Sequence, residues 1–252
     1  MRKLYILDIK KQKKFIIIIP VALFVAFYLY LQSTSLFTFS SQEDPAALHN
    51  GNKKHSSIAI TFNISHGTEK VEPILAQLAK LNTKATFFVS GEWAERHPDL
   101  LEKIVEEKHE IGMLGYQYSP YQTEDIQKIK NDITKAKTAF EKLGYKDTYL
   151  YRTPNGYLNE EILKAAELQG LKTIHWSINP NDWKNPGTDK ITDHVLSNIR
   201  NGSIVLLHAS DSVKQTEKAL QKMLPEIQLK KFSLVTISEL ITNVDIKQQE
   251  LK

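Results

Sequence analysis

Residues 57–89 read SIAITFNISHGTEKVEPILAQLAKLNTKATFFV, and this stretch already indicates the fold class. It opens with a β-rich apolar run, Ser57–Phe62, and closes with a second run of this kind, Ala85–Val89. Between the two runs, Val71–Leu81 carries apolar residues at helical spacing. A strand, a helix and a second strand form a βαβ unit, in which the two strands lie parallel. The stretch therefore predicts an α/β protein with a parallel sheet.

The same alternation continues toward the end of the chain. Helical patterns follow at residues 100–108, 125–143, 159–168, 188–199 and 216–229. Strand-like runs follow at residues 110–113, 148–151, 172–177, 203–207 and 233–237. Six or seven β/α units of this kind suit a closed or partly closed barrel. A flat, doubly wound sheet is the alternative, and no glycine-rich phosphate-binding fingerprint supports it.

The N-terminal forty residues are typical of a membrane anchor. Residues 15–31 read FIIIIPVALFVAFYLYL and run on into further uncharged residues, which gives the roughly 20 residues that cross a bilayer. Residues 1–14 form a basic arm, and an excess of lysine and arginine marks the cytoplasmic side. We expect a single-pass signal anchor at 15–39 in the cell membrane, with a cytoplasmic N-terminus and an extracytoplasmic domain. Cleavage and release is the alternative, although Thr38-Phe39-Ser40 is a poor cleavage site.

The segment after the anchor is polar. Residues 40–56 read SSQEDPAALHNGNKKHS, lack apolar periodicity and predict a linker. We expect one domain at 57–243, followed by a polar tail at 244–252. The chain has no cysteine, which excludes both a disulfide framework and a lipid-modified cysteine.

The charge of the chain is explained by its topology. The whole chain carries +4 and the arm at 1–14 carries +5, so that +4 minus +5 leaves −1 for the rest. The exported part is therefore nearly neutral, and no nucleic-acid partner is expected. Oligomeric state stays open.

Polar residues interrupt the apolar pattern where the predicted strands end. In a β/α barrel the carboxyl ends of the strands share one face, where such folds carry their chemistry. A single histidine in such a place is more often structural, and an arginine with an aspartate more often forms a structural ion pair. Five interruptions in register predict a functional site instead, and they are Asn63, Ser90, Arg152, Asp182 and His208.

Four motifs in order resemble one known family. They are Thr61–Ile64, Arg152–Gly156, Asn179–Trp183 and Leu207–His208. In residue type and spacing they are similar to the polysaccharide deacetylase family, also called the NodB homology or carbohydrate esterase 4 family, over about residues 57–241. Within it, the chain resembles the sporulation branch called PdaB, and the stretches that carry this resemblance are Ser65–Gly67, Gly91–Pro98, His175–Ser177, Asp182–Gly187 and His208–Ser212.

The resemblance implies a fold, a substrate class and a cofactor. The fold is a deformed (β/α) barrel of about seven parallel strands, here preceded by one transmembrane helix. The substrates are N-acetyl glycans, and for this chain we expect cell-wall or spore peptidoglycan as the partner. The family would use a divalent metal such as zinc, held by one aspartate and two histidines.

This chain departs from the family at the metal ligands. The positions that the resemblance assigns to them hold Ile64, Leu114 and Tyr118. An alternative site could draw on His66 together with Asn63 and Asp182, but one imidazole with mixed oxygens makes a poor zinc site. We therefore expect no metal and no other cofactor.

The resemblance also assigns the catalytic positions. Asn63 stands where the family has its general base, and an amide cannot take a proton at neutral pH. Arg152 matches the arginine that orients the base, His208 the acid, and Asp182 the carboxylate that tunes that histidine. These four are the expected catalytic set, with the base replaced.

Three side chains are expected to contact a sugar. They are Trp183, Pro154 and Tyr118. Aromatic rings offer amphipathic faces to a sugar, although buried packing is an equal alternative for the tryptophan.

Three functions remain open at this point. The first is an active, unconventional N-deacetylase that cleaves the amide of N-acetylglucosamine or N-acetylmuramic acid units in sporulation. The second is a pseudoenzyme that binds glycan in its groove. The third is a scaffold that uses only the barrel surface. Family membership favours a glycan-directed role, and the missing base and ligands favour the second.

Overall fold

The computed structural model of the protein describes residues 23–24, 45–121 and 124–242. Leu23 and Phe24 are helical and exposed, and they belong to a unit that spans Met1–Asp44. The remaining described residues belong to a second compact unit, Pro45–Lys252. No helix in the described part of the chain is long and apolar enough to cross a bilayer. The predicted arm, anchor and tail lie outside the described residues, apart from Leu23 and Phe24.

Seven parallel strands form the sheet of the second unit, as the sequence predicts. They are β1 (Ser57–Ile64), β2 (Thr86–Val89), β3 (Glu110–Met113), β4 (Leu150–Tyr151), β5 (Lys172–Thr173), β6 (Ile204–His208) and β7 (Ser233–Leu234). Their order is β5-β4-β3-β2-β1-β6, and β7 pairs with the amino end of β1. Beyond β5, Ile178 pairs in parallel with Val205 of β6, so the chain that follows β5 reaches the other outer strand of this order. The sheet is therefore curled into a partly closed barrel, and the flat sheet is excluded.

The helices lie between the strands and cover the outside of the barrel. Those between the strands are α1 (Val71–Lys80), α2 (Gly91–Arg96), α3 (Pro98–Glu106), α4 (Ile126–Lys142), α5 (Glu160–Glu167), α6 (Thr188–Asn198) and α7 (Thr216–Leu229). A last helix, α8 (Ile237–Thr242), follows β7. Short polar side chains fix two of the starts: Asp125 accepts from the Gln127 amide at 2.7 Å, and Asn159 from the Ile162 amide at 2.8 Å.

Strand β1 is buried on both faces because it lies in the middle of the sheet. Its side chains alternate, so Ile60 and Ile64 pack in the helix-facing core while Ala59 packs inside the barrel. By the same alternation, Thr61 and Asn63 face the barrel interior. Asn63 therefore lies at the carboxyl end of the central strand, on the inner face.

The end of the domain differs from the prediction. The sequence predicts a strand to Ile237, but β7 ends at Leu234 and Ile237 begins α8. The carboxylate of Glu110 accepts from the amides of Ile237 and Ser238 at 2.9 and 3.2 Å, which caps this helix from a distant strand. Such a cap depends on a tertiary contact that the sequence does not reveal.

The predicted linker at 40–56 is wrong for its described part. Residues 45–56 lie against the barrel and join β5 to β6 across the gap between them. The Leu48 amide donates to the Thr173 carbonyl at 2.9 Å, and the Leu48 carbonyl accepts from the His175 amide at 2.8 Å. Nearby, the Gly51 amide donates to the Gly202 carbonyl at 2.8 Å. Backbone groups make these hydrogen bonds, and the side-chain pattern of a polar segment does not predict them. We call residues 45–52 the seam segment.

Candidate functional site

A groove of about 480 Å³ opens at the carboxyl ends of the strands, on the face where the sequence predicts the site. Five of the predicted site residues line it, namely Asn63, His208, Trp183, Pro154 and Tyr118. Arg152 and Asp182 lie fully buried and hold lining residues from behind. The structure thus brings together all seven residues predicted for catalysis or sugar contact.

Asp182 and His208 form a hydrogen-bonded pair at the end of β6. His208 Nδ1 lies 2.7 Å from Asp182 Oδ1, and an ionised carboxylate can only accept, so Nδ1 carries the proton. The His208 side chain is 14% exposed, and Nε2 is the ring nitrogen left for a ligand in the groove.

The carboxylate of Asp182 is held by further donors. It accepts from the backbone amides of His208 and Trp183 at 2.8 and 3.0 Å. The hydroxyl of Thr216 donates to it at 2.8 Å. These donors and the imidazole stabilise the buried negative charge of Asp182. The carboxylate held in this way fixes the tautomer and orientation of His208.

Arg152 is a buried cation surrounded by neutral acceptors. Its guanidinium donates to Asn63 Oδ1 and Thr61 Oγ1, both at 3.0 Å. It also donates to the carbonyls of Ile174 and His175 at 3.2 and 3.1 Å. Within the described residues it forms no ion pair, and burial lowers the pKa of Arg152 well below its usual value. The arginine therefore orients the Asn63 amide as the family arginine is expected to orient the base.

The three positions assigned to metal ligands do not form a metal site. Ile64 is fully buried in the helix-facing core, and Leu114 is fully buried inside the barrel. Tyr118 lines the groove and is half exposed, but it is a lone phenol. Aliphatic side chains offer no ligand atoms. The residues present do not fit the divalent ion expected from the family.

The alternative metal set is not assembled either. His66 lines the groove, yet its Nδ1 lies 3.1 Å from the Ser65 hydroxyl, and both oxygens of Asp182 are already hydrogen-bonded. Among the residues that the structure describes, no group of three or more histidine, cysteine, aspartate or glutamate side chains could hold a metal ion.

Two aromatic side chains flank the groove with exposed rings. Trp183 is 50% exposed and Tyr118 is 51% exposed. Trp176 also lines the groove, but its ring stacks on His175 with 3.8 Å between centroids. The first two rings can receive a sugar face, whereas the third mainly packs.

Other groove residues were not predicted from the sequence. Besides aromatic and catalytic positions, the lining includes small polar side chains, among them Asn179, Asn181, Ser210 and Ser212. The sequence feature that could have indicated these residues is their position in the loops after β5 and β6. Ser90, predicted at a strand end, is buried and caps α2 by accepting from the Trp93 amide at 3.3 Å. It does not line the groove.

Comparison with known proteins identifies the class. The profile described as polysaccharide deacetylase matches residues 50–174. A peptidoglycan-N-acetylglucosamine deacetylase of Bacillus cereus is 37% identical over 187 residues, which covers 73% of this chain and 87% of the relative. The chain belongs to the polysaccharide deacetylase family, as the motifs predicted.

Solved structures in the same family have the same fold. A peptidoglycan N-acetylglucosamine deacetylase matches with a TM-score of 0.76 and 31% identity, over 82% of this chain and 97% of that one. A carbohydrate esterase family 4 pseudoenzyme from Bacillus anthracis matches with a TM-score of 0.73 and 28% identity, over 78% and 69% of the two chains. A mutant of that pseudoenzyme is described as having restored enzymatic activity.

Proposed function

We propose that this domain binds N-acetylated glycan strands of the peptidoglycan type in the strand-end groove and does not deacetylate them by metal-dependent chemistry. The observation that carries the proposal is the contact between Arg152 and Asn63. An amide occupies the place of the expected base, and the arginine orients it. The apolar burial of Ile64 and Leu114 supports the same conclusion.

The missing groups account for the loss of the usual reaction. Amide hydrolysis needs an activated water, and the Asn63 amide has no basic lone pair to accept its proton. General-base catalysis alone is worth about 10² to 10⁴ in rate. Without ligands at positions 64 and 114, no ion supplies the activation instead.

The remaining groups are suited to holding a glycan. Trp183 and Tyr118 present exposed rings at the groove, and His208 Nε2 can exchange a hydrogen bond with a sugar hydroxyl or acetyl group. The relatives named as peptidoglycan deacetylases and the pseudoenzyme with the same fold support this assignment.

Two measurements on the purified domain, residues 45–252, test the proposal. We expect no acetate release from N-acetylglucosamine oligomers, with or without added zinc, cobalt or nickel. We expect retention on insoluble peptidoglycan that falls at least about tenfold in a Trp183→Ala, Tyr118→Ala variant, because stacking surface is removed. Tyr149→Ala is the matched control, since Tyr149 is 41% exposed and does not line the groove. Metal-stimulated acetate release, or equal retention of all variants, contradicts the proposal.

A second candidate, an unconventional N-deacetylase, is favoured by one observation. The Asp182–His208 pair is complete and could protonate a leaving amine. The test is acetate release from N-acetylglucosamine or N-acetylmuramic acid units in the presence of a chelator. Release that is lost in both His208→Ala and Asp182→Asn supports this candidate, and its absence removes it.

We further propose that residues 15–39 anchor the protein in the cell membrane, with the domain outside and near wall glycan. The apolar run and the basic arm support this location. Protease added to intact protoplasts is expected to remove the domain from a membrane-bound fragment. Domain released into the medium indicates cleavage. A role in sporulation rests on the resemblance, and absence of the transcript from sporulating cells contradicts it.

A further inference from the structure

The loops at the amino ends of the strands are strongly basic. These loops are residues 45–56, 81–85, 107–109, 143–149, 168–171, 199–203 and 230–232. They contain eight lysines and arginines against Glu107 and Asp147, a net charge of +6. The eight are Lys53, Lys54, Lys84, Lys108, Lys146, Arg200, Lys230 and Lys231. We call this surface the basic end of the barrel.

The opposite loops, which lead from strands into helices and carry the groove, have a different balance. They hold four basic residues against five acidic ones, a net charge of −1. The acidic residues are Glu69, Glu124, Asp125, Asp182 and Asp211. The near-neutral net charge of the exported part therefore hides a separation of charge along the barrel axis.

Neighbouring acids at the basic end do not cancel its charge. The last three residues of the helices that lead into these loops add Lys80 and Lys142 against Glu106, Glu141 and Glu167. Helix α8, which closes this end of the barrel, adds Glu239. The helix ends contribute a net charge of −1 and Glu239 a further −1, so the basic end still carries a net charge of +4.

The basic side chains at this end are available to an external anion. All except Lys84 are exposed, and Lys84 donates to the Glu107 carbonyl at 2.9 Å. In the described parts of the chain, none of the eight forms an ion pair with a carboxylate. Two of the eight interact with helix ends, since Lys84 donates to the Glu107 carbonyl after α3 and Arg200 donates to the Ser197 carbonyl in the last turn of α6. Lys53 and Lys54 follow no described helix, so a helix dipole does not account for them.

Exposed leucines lie on the same end. Leu168 is 85% exposed and Leu229 is 75% exposed, more than any other large hydrophobic side chain described in the domain. Leu168 follows α5, and Leu229 ends α7 beside Lys230. Isolated exposed leucines need no explanation by themselves. Exposed leucines among unpaired lysines are typical of surfaces that lie in the headgroup region of anionic bilayers.

Part of the seam segment lies at the basic end of the barrel as well. Gly51 lies at the amino end of β6, where its amide donates to the Gly202 carbonyl. The groove opens at the other end of the barrel.

We propose that the basic end of the barrel docks on an anionic phospholipid surface, so that the groove faces away from the bilayer. The lysines and Arg200 meet lipid phosphates, and Leu168 and Leu229 enter the headgroup region. This surface shares no residue with the groove, so the proposal stands or fails independently of glycan binding.

Vesicle binding by the domain, residues 45–252, tests the charge. This unit has its own core and is expected to fold alone, which thermal unfolding of each variant checks. We expect binding to vesicles of equal parts phosphatidylglycerol and phosphatidylcholine, none to phosphatidylcholine alone, and loss of binding at high salt. Lys53→Glu, Lys230→Glu, Lys231→Glu should lower affinity at least about tenfold.

The matched control changes net charge equally but elsewhere. Lys190→Glu, Lys214→Glu, Lys218→Glu reverses three exposed lysines nearer the groove end, and it should bind like the wild type. Leu168→Ser, Leu229→Ser should weaken binding severalfold without changing net charge. Equal losses in both lysine variants, or no binding to anionic vesicles, overturns the proposal. Binding to soluble polyphosphate without binding to vesicles assigns the basic end to a soluble polyanion and overturns it as well.

The full chain provides an orientation measurement that does not depend on affinity. Because the chain has no cysteine, a fluorophore can be attached at Leu229→Cys or at Ser212→Cys, which lies at the groove. In the same anionic vesicles, lipids that carry a nitroxide quencher in the headgroup should quench the first probe and spare the second. Equal quenching of the two probes, or stronger quenching at position 212, contradicts the proposed orientation.

Discussion

Arg152 is fully buried, and its two side-chain acceptors, Thr61 and Asn63, are both neutral. Taking a guanidinium out of water is costly unless an anion or several hydrogen bonds compensate. Here carbonyls, a hydroxyl, an amide and the face of Phe88, at 3.9 Å, provide the compensation. A carboxylate at position 63 would complete this arrangement.

Asn63→Asp is expected to stabilise the domain at neutral pH. A charge-assisted bond replaces a neutral one, so the free energy of unfolding should rise by about 1 kcal/mol. Arg152 lowers the pKa of the new carboxyl in the folded state. The gain is therefore present above about pH 4, the unfolded value, and disappears as pH falls through the folded pKa. Urea unfolding at pH 7 and at lower pH measures it.

A matched variant separates charge from shape at position 63. Asn63→Leu keeps the volume but removes the acceptor, and should lower the free energy of unfolding by about 1–3 kcal/mol. A variant with aspartate that is less stable than the wild type at pH 7 contradicts the argument. Asn63→Asp alone should not give metal-dependent deacetylation, because Ile64 and Leu114 remain buried and apolar.

His109 is expected to make the fold sensitive to acid. Burial, and to a smaller extent Lys84, lowers the pKa of His109 to about 4, whereas an unfolded histidine titrates near pH 6.5. Between these values the unfolded chain binds the additional proton. Stability is thus complete above about pH 6.5 and falls toward pH 4, by at most about 1.4 kcal/mol per pH unit from this group.

The variant His109→Gln should flatten this part of the stability profile, measured by urea unfolding from pH 7 to pH 4. His66→Gln, which removes an exposed histidine, is the control for the loss of a histidine as such. An unchanged slope in His109→Gln assigns the acid sensitivity to other groups.

The sequence predicted individual site residues well where they interrupt an apolar strand. Asn63, Arg152 and His208 follow such runs, and the structure places them at one groove or directly behind it. It could not predict that Asp182 is fully buried with four donors, or that Ser90 caps a helix. Those properties depend on neighbours that are distant in the chain.

At the scale of elements, the seam segment is held by a close approach of two backbones. A Cβ at position 202 would lie 2.6 Å from the Gly51 carbonyl oxygen. Gly202→Ala should therefore lower the free energy of unfolding by about 2–4 kcal/mol, from strain at its positive φ and from displacement of the seam. Thermal or urea unfolding measures the loss.

Gly170→Ala is the control for strain alone. Gly170 also has a positive φ, of 75°, but a Cβ there meets open space. Its loss should be about 1 kcal/mol. Equal losses in the two variants would mean that seam contact contributes little.

Regular elements were predicted where periodicity is strong. Helices α1, α4 and α7 end within about a turn of their predicted bounds, because their apolar stripes face the core. The seam segment and α8 were missed, since backbone pairing to β5 and the Glu110 cap, respectively, decide their structures. The local sequence pattern predicts neither the seam segment nor α8.

At the scale of the whole molecule, the domain needs the seam segment for its stability. A protein that begins at residue 57, the predicted boundary, lacks the pairing to β5 and β6. We expect its free energy of unfolding to be about 2–4 kcal/mol lower than that of a protein beginning at residue 45. Urea unfolding of both proteins measures this difference, and equal unfolding midpoints contradict the expectation.

Fold class, strand number and the face that carries the site were all predicted from alternation and from strand-end polarity. The separation of charge between the two ends of the barrel was not predicted, because the charges of the two ends are combined in the net charge. The separation becomes visible only when the charges of the helix-to-strand loops are counted together. The predicted anchor stays a prediction, since its residues lie outside the described part.

The seam segment also determines how the domain responds to mechanical load. A pull on the chain upstream of Pro45 reaches the barrel through the bonds of Leu48 to Thr173 and His175, and of Gly51 to Gly202. His175 stacks on Trp176, which lines the groove. Tension strong enough to peel the seam would therefore loosen one wall of the groove before it unfolds the core.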